Sequence, residues 1–240
     1  MAGHSHWAGI KHKKGRQDKQ RSNLFSKLSR EITVAAKLGA KDPSSNPRLR
    51  SAIQAAKQYN MPKDNIERAI NKSELNLNES FENLRYEGFG PFNVAFIIET
   101  LTNNKNRTAS NIRTALQKNG GRLGEHGSTT HLFQHCGVIH VSKKEFTDEK
   151  ILEIAINAGA MDCKSNSEHH EILSKKEDFN EIKNLIEEKV KSLQYFGIQW
   201  IPYNYLDIPK GENEKIVKIL ELLDDDDDIQ KIFTNCKVNL

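Results

Sequence analysis

Cysteine is scarce in this chain, and what there is does not pair. Cys136, Cys163 and Cys236 are odd in number and widely separated. That excludes a disulfide framework and points to a reducing compartment, the cytoplasm. Long apolar runs are missing too. No stretch approaches the roughly twenty residues that a spanning helix needs, so no membrane association is expected. The basic opening segment is not followed by an apolar stretch of about 7–15 residues, so it does not read as a secretory signal. Catalytic signatures are equally thin. There is no Walker A sequence, no nucleophile elbow and no pair of catalytic carboxylates, and GFGP at 88–91 lacks the third glycine of a dinucleotide fingerprint. Neither an enzymatic activity nor a cofactor is expected.

Charge is abundant and unevenly placed. Residues 1–72 carry 16 Lys and Arg against 5 Asp and Glu, a net of +11, whereas the remainder carries 20 against 27, a net of −7. The first twenty-one residues are the extreme case: Lys11, Lys13, Lys14, Arg16, Lys19 and Arg21 stand against Asp18 alone, beside His4, His6, His12 and Trp7. Cations interleaved with flat rings suit a polyphosphate with stackable bases. A solvated terminal segment gives the same composition. Trp7 fits a base platform and equally a staple against the helices that follow.

Residues 22–72 read as helices. Leu24, Phe25, Leu28, Ile32 and Ala36 recur at helical spacing before Gly39, and DPSSNP then breaks the chain with Asn46 as N-cap and Pro47 in the first turn. Leu49, Ile53 and Ala56 form the next stripe, and a third short helix follows Pro62. The polar segment 73–80 reads as a linker. Beyond it, VAFIIET at 94–100 reads as a buried strand, 107–118 as a helix, and Leu132-Phe133 and 138–141 as strands. A helix at 148–158 is expected to turn Ile151, Leu152, Ala155 and Ile156 inward, and Ile172-Leu173 is a weak strand. A helix at 179–191, an extended stretch at 198–205, a helix at 212–223 and a strand at 229–236 complete the pattern. The class is α+β, with two-layer units of ferredoxin-like type.

Several longer motifs carry a resemblance. MAGHSHW at 1–7, IKHKKGRQD at 10–18, LSREITVAAKLG at 28–39, NPRLRSAI at 46–53, NMPKDNIERAI at 60–70, RYEGFGP at 85–91, NRTASNIR at 106–113 and GGRLGEHGS at 120–128 are similar to the YebC/PmpR family. Its members are described as probable transcriptional regulatory proteins and are also associated with translation. The resemblance implies three domains: a helical basic domain at 1–78, a discontinuous α+β domain at 79–135 and 207–240, and an inserted ferredoxin-like domain at 136–206. The chain departs from the family pattern at His126 and His131, and at Gln134, His135 and Cys136, where a basic run is usual.

The expected function is nucleic-acid binding, as a DNA-binding transcriptional regulator or as a translation factor on ribosomal or transfer RNA. Trp7, Lys11, His12, Lys13, Lys14, Arg16, Lys19 and Arg21 would make the contacts, with Arg30, Arg48, Arg50 and Lys63 extending the patch. The acidic remainder leaves room for a protein partner. GGRLGEHGS suits a phosphate-binding nest and equally a tight connection. Glu87 is expected to be structural, and Asn106 and Arg107 to belong to an ordinary helix start. Asp224–Asp228 reads as a solvated connection that keeps polyanions away. No metal site is expected. His131, His135, Cys136 and His140 do not converge along one strand, and His169-His170 reads as a loop pair.

Overall fold

The structure, a computed structural model, describes residues 14–74, 80–209, 211 and 213–237, with side chains from residue 19 onward. Three helices come first: α1 (Lys14–Leu38), α2 (Pro47–Gln58) and α3 (Lys63–Lys72). α1 begins eight residues earlier than the helical stretch read at 22–72. Lys, Arg and Gln are good helix formers, so the second half of the basic segment continues the helix although it has nothing to bury. Ile32, Ala35 and Ala36 of α1 pack against Leu49, Ala52 and Ala56 of α2 and against Ile66 and Ala69 of α3. Asn46 fixes the α1–α2 corner. Its side chain accepts from the Leu49 N–H at 3.0 Å and donates to the carbonyls of Ala35 (2.8 Å) and Ala40 (2.7 Å). The linker read at 73–80 lies mostly outside the described residues.

The first sheet has the order β3-β1-β2-β8, all antiparallel, from β1 (Glu82–Phe89), β2 (Ala95–Thr102), β3 (Arg122–Leu123) and β8 (Ile229–Thr234). α4 (Lys105–Gln117) and α7 (Glu214–Asp224) cover one face, meeting Phe96, Ile98 and Ile232 through Ile112, Leu116, Ile216 and Leu220. β2 is covered on its other face as well, where Ala95 and Ile97 join Phe133, Trp200 and Phe233. That double burial explains its unbroken apolar run.

The second sheet is built from one continuous stretch: β4 (Phe133–Ser142), α5 (Asp148–Asn157), β5 (Asp162–Ser165), β6 (His169–Lys175), α6 (Phe179–Glu187) and β7 (Tyr195–Pro202). The strand order β5-β6-β4-β7 and the βαββαβ sequence are those of a ferredoxin-like unit. The two sheets are pinned together at Trp200. Its indole N–H donates to Glu99 at 2.9 Å, His135 stacks on it at 4.0 Å, and the Arg85 guanidinium lies over it at 5.0 Å.

Three expectations need correction, and one strand was not expected. β4 is one strand from Phe133, not two, because residues 134–137 pair with both β6 and β7 or with β7 alone without a break. On α5 the buried positions are Ile151, Ile154 and Ala155, while Leu152 and Ile156 are 46% and 66% exposed. The helix faces the sheet with an i, i+3, i+4 stripe that begins at 151, so 152 and 156 fall on its far side. His169 and His170 belong to β6 rather than to a loop. β5, four residues of polar sequence, had no apolar signal to find.

Candidate nucleic-acid interface

Two stripes run along α1. Lys19, Asn23, Lys27 and Arg30, spaced by four, four and three residues, share one face of the helix. That face meets the turn between α7 and β8, where five aspartates stand in a row. Lys19 Nζ lies 2.7 Å from Asp225, Asn23 donates to the same carboxylate at 3.0 Å, and Lys27 Nζ lies 2.6 Å from Asp224. Arg30 donates to Asp228 at 2.5 Å and to the Leu101 carbonyl at 3.3 Å. Asp228 is 2% exposed and also accepts from Arg107 (2.6 Å), Thr108 (2.8 Å) and Thr102 (3.1 Å). Burial by itself would raise its pKa, but the hydrogen bonds from Arg107, Thr108, Arg30 and Thr102 outweigh it and hold the carboxyl below its ordinary value. The aspartate run is therefore not a purely solvated connection. It neutralises the α1 cations and ties the helices to the first sheet.

The second stripe is Ser22, Ser26, Ser29, Thr33 and Lys37. It forms one wall of an open cleft of about 720 Å³. Arg68 and Lys72 of α3 form another wall, and Phe81, Asn103 and Arg107 close the end toward the first sheet. Arg30 lines the cleft as well, and Asp227 is the acid in its lining. Small hydroxyls leave room for a backbone to approach, and with the surrounding cations they suit phosphate and sugar oxygens. Arg68 is steadied by the Asn65 side chain at 2.6 Å and the Asp64 carbonyl at 3.2 Å.

Among the twelve residues singled out from sequence, the described ones are held in different ways. Trp7, Lys11, His12 and Lys13 lie outside the described residues. Lys14 and Arg16 are in the first turn of α1, with side chains outside the description. Lys19 holds Asp225, and Arg21 is exposed, with its guanidinium 5.2 Å from the Phe25 ring centroid. Arg30 reaches Asp228. Arg48 makes a two-pronged ion pair with Glu31 at 2.8 and 3.1 Å, which raises its pKa. Arg50 is exposed on α2, and Lys63 is 87% exposed, 3.4 Å from Glu67 one turn on. Arg50, Gln54 and Lys57 remain exposed along one face of α2. The hydroxyl stripe, Arg68 and Lys72 were not among the twelve, and Arg107 was read as part of an ordinary helix start. The serine spacing in SNLFSKLSREIT carried a signal for the first of these, whereas only the assembled cleft gathers the rest.

Two other motifs have structural work. Glu87 has a fully buried side chain and accepts from the backbone N–H groups of Gly127 (3.0 Å), Thr129 (2.8 Å) and Thr130 (3.0 Å) and from the Thr130 hydroxyl (2.6 Å). Burial opposes ionisation, yet these donors bring its pKa down to about 2. Gly127 of GGRLGEHGS, with Thr129 and Thr130 just beyond the motif, thus already holds an anion, and it is the protein's own. Asn104 caps α4 by accepting from the Arg107 N–H at 3.1 Å, so the α4 start is an ordinary helix cap.

The described helices include none long and apolar enough to cross a membrane. Residues 5–76 match the TACO1/YebC protein N-terminal domain, and residues 81–236 match the TACO1/YebC second and third domain. A probable transcriptional regulatory protein of Pelagibacter ubique is 55% identical over 235 residues, which cover 98% of each chain. One from Zymomonas mobilis is 47% identical over 239 residues, covering 100% of this chain and 96% of the relative. Both names are those of regulators, not enzymes. A crystal structure of a conserved hypothetical protein from Aquifex aeolicus superposes with a TM-score of 0.82 at 42% identity, over 98% of both chains. With both family domains matched in order over nearly its whole length, the chain belongs to the TACO1/YebC family.

Proposed function

We propose that this chain is a nucleic-acid-binding regulator, acting in the cytoplasm on DNA, that docks electrostatically through its basic N-terminal segment and helical region. The observation that carries nucleic-acid binding is the cleft, while the choice of DNA follows the names of the relatives. α1 continues the basic segment as a helix and turns a row of hydroxyls into a space walled by Arg30, Arg68, Lys72 and Arg107. The names of the relatives support a regulatory role for this chain as well. In this reading Lys11, His12, Lys13, Lys14, Arg16, Lys19 and Arg21 lie along phosphates, with Trp7 against a base. Arg50 and Lys63 extend the surface. The Lys19–Asp225 pair is exposed at both ends and exchanges readily for a phosphate, because such pairs contribute little in water. Arg30 and Arg48 are held by carboxylates and shape the surface from below. The α+β part, at 79–135 with 207–240 and at 136–206, offers its acidic surface to a protein partner.

Six lysine and arginine contacts give a log–log salt slope of about −5 on duplex DNA. Anisotropy titrations across salt concentration measure it, and replacing Lys13 and Lys14 by Ala flattens it by about two units. An unchanged slope removes the basic segment from the binding surface.

One observation favours RNA over duplex DNA. The cleft is concave and lined with hydroxyls, a shape that admits a single strand or loop more readily than a duplex groove. Co-sedimentation with ribosomes in the presence of excess duplex DNA separates the two. Retention on ribosomes that is lost in the Lys13→Ala/Lys14→Ala variant means RNA, and release into the DNA-bound fraction means DNA.

A further inference from the structure

The second sheet holds a cluster that nucleic-acid binding does not use. His169 and Glu171 are two residues apart on β6, so strand alternation places both on one face. His140 of β4 lies directly opposite Glu171 in the antiparallel register. Each of the three offers a ligand atom, and these atoms all lie within 4.8 Å of one another. Among the described residues it is the group of histidine and carboxylate ligands that converges in this way. The face is the one turned away from α5 and α6, shared with Cys136, Val138 and Tyr195.

Hydrogen bonding accounts for part of this cluster. His140 Nε2 lies 3.2 Å from Glu171 Oε2, and the His140 and His169 rings stack at 4.0 Å. His140 is nevertheless 7% exposed, and its Nδ1 has no hydrogen-bond partner. Its neighbour His170 shows the ordinary outcome for a buried histidine. That ring is fully buried on the opposite face, with Nδ1 2.7 Å from the Ser165 hydroxyl and Nε2 3.0 Å from the Phe146 carbonyl. Buried ring nitrogens are usually satisfied in this way. The unpartnered atom is Nδ1, whereas Nε2 is the nitrogen that faces Glu171.

We propose that His140, His169 and Glu171 form a binding site for a first-row divalent metal ion, of which zinc is the expected occupant. Two imidazoles and one carboxylate suit zinc, cobalt, nickel or copper, whereas magnesium and calcium want oxygen alone. A residue pair at i and i+2 with a third ligand on the adjacent strand places three side chains together on one patch of the sheet face. Tetrahedral zinc with bonds of about 2.0–2.1 Å sets its ligand atoms roughly 3.3 Å apart. The His140–Glu171 separation of 3.2 Å already meets that spacing. His169 has to close a gap of at most about 1.5 Å and turn its ring out of the 25° stack on His140, so that an in-plane lone pair faces the ion. It also has to release the Asn166 amide that lies 3.1 Å from its Nε2, and side-chain rotation of a half-buried residue allows this. His169 and Glu171 are half-buried, so an ion can approach, and the fourth position is left to water.

The test uses the untagged, metal-stripped full chain titrated with Co²⁺ and read by its visible ligand-field absorption. One equivalent should give a tetrahedral band that Zn²⁺ bleaches by displacement. His169→Ala and Glu171→Gln should each weaken binding by more than about tenfold. Both positions are half-buried, so the fold tolerates the changes better than at His140, and far-UV circular dichroism checks that it does. Zn²⁺ should raise the melting temperature of the wild type and not of His169→Ala. His4→Ala/His6→Ala/His12→Ala and His126→Ala/His131→Ala variants should keep the band. Absence of the band, its survival at full affinity in His169→Ala, or its loss in either control variant would overturn the assignment.

Discussion

Replacing Asp228 by Asn tests the latch between α1 and the first sheet most directly, because the change alters charge and hardly alters shape. Asp228 joins Arg30 of α1 to Arg107 of α4. Removing one partner from a buried ion pair costs roughly 3–5 kcal/mol. Here the two arginine side chains keep 25% and 48% exposure, so water recovers part of the loss. We expect a cost of about 2–3 kcal/mol. In a chain of this size that lowers the melting temperature by about 5–10 °C. Differential scanning calorimetry at neutral pH measures it.

The pH dependence adds a second constraint. The folded pKa of Asp228 is depressed, so its stabilisation is fully present above the usual carboxylate value and is lost as pH falls through the folded one. Wild type and variant should therefore differ at neutral pH and converge in acid. Nucleic-acid binding should move the other way. With the carboxylate gone, Arg30 and Arg107 are free to take phosphates, and the salt slope steepens by up to about two units. An unchanged melting temperature at neutral pH, or a gap that persists in acid, refutes the latch.

The remaining expectations concern other parts of the chain. Glu87→Gln removes the anion at the centre of the turn after β3, costs about 2 kcal/mol, and should speed hydrogen exchange at Gly127, Thr129 and Thr130. Equal protection in both proteins would show that the carboxylate does not organise the turn. Ser26→Asp adds a carboxylate to the hydroxyl stripe and should weaken nucleic-acid binding about tenfold at unchanged stability. Unaltered affinity would place the ligand elsewhere. Gly137→Ala drives a Cβ into Phe179 and Ser174 under α6 and should destabilise by about 1–3 kcal/mol in urea titration, with no effect on binding.

Much of the architecture was legible because it depends on short-range patterns. The Asn46-Pro47 start of α2, the apolar stripe of α1 and the unbroken run of β2 are each set by neighbours within a few positions. Glu87 could be read as structural from its place beside a turn, although not as the anion that the turn encloses. Where the pattern was short or polar it failed. β5 has no apolar signature, and β6 was visible only at Ile172 and Leu173. On α5 a cluster of five apolar residues left the choice of inner face to the sheet beneath it.

The amino-acid order by itself determined the basic bias of the first 72 residues, the three-helix pattern, the α+β class and the family resemblance. These rest on composition, periodicity and local capping, which need no knowledge of distant contacts. Tertiary structure decided which charges meet. Five consecutive aspartates look alike in sequence, yet Asp228 alone is buried between two arginines, because the turn into β8 carries it under Thr102 and Thr108. The hydroxyl cleft and the His140–Glu171 pairing arise in the same way, from residues far apart in sequence that only helix packing and strand register bring together. Ion pairs, clefts and ligand sets depend on distances of a few ångströms between such residues, and chain order does not fix those distances.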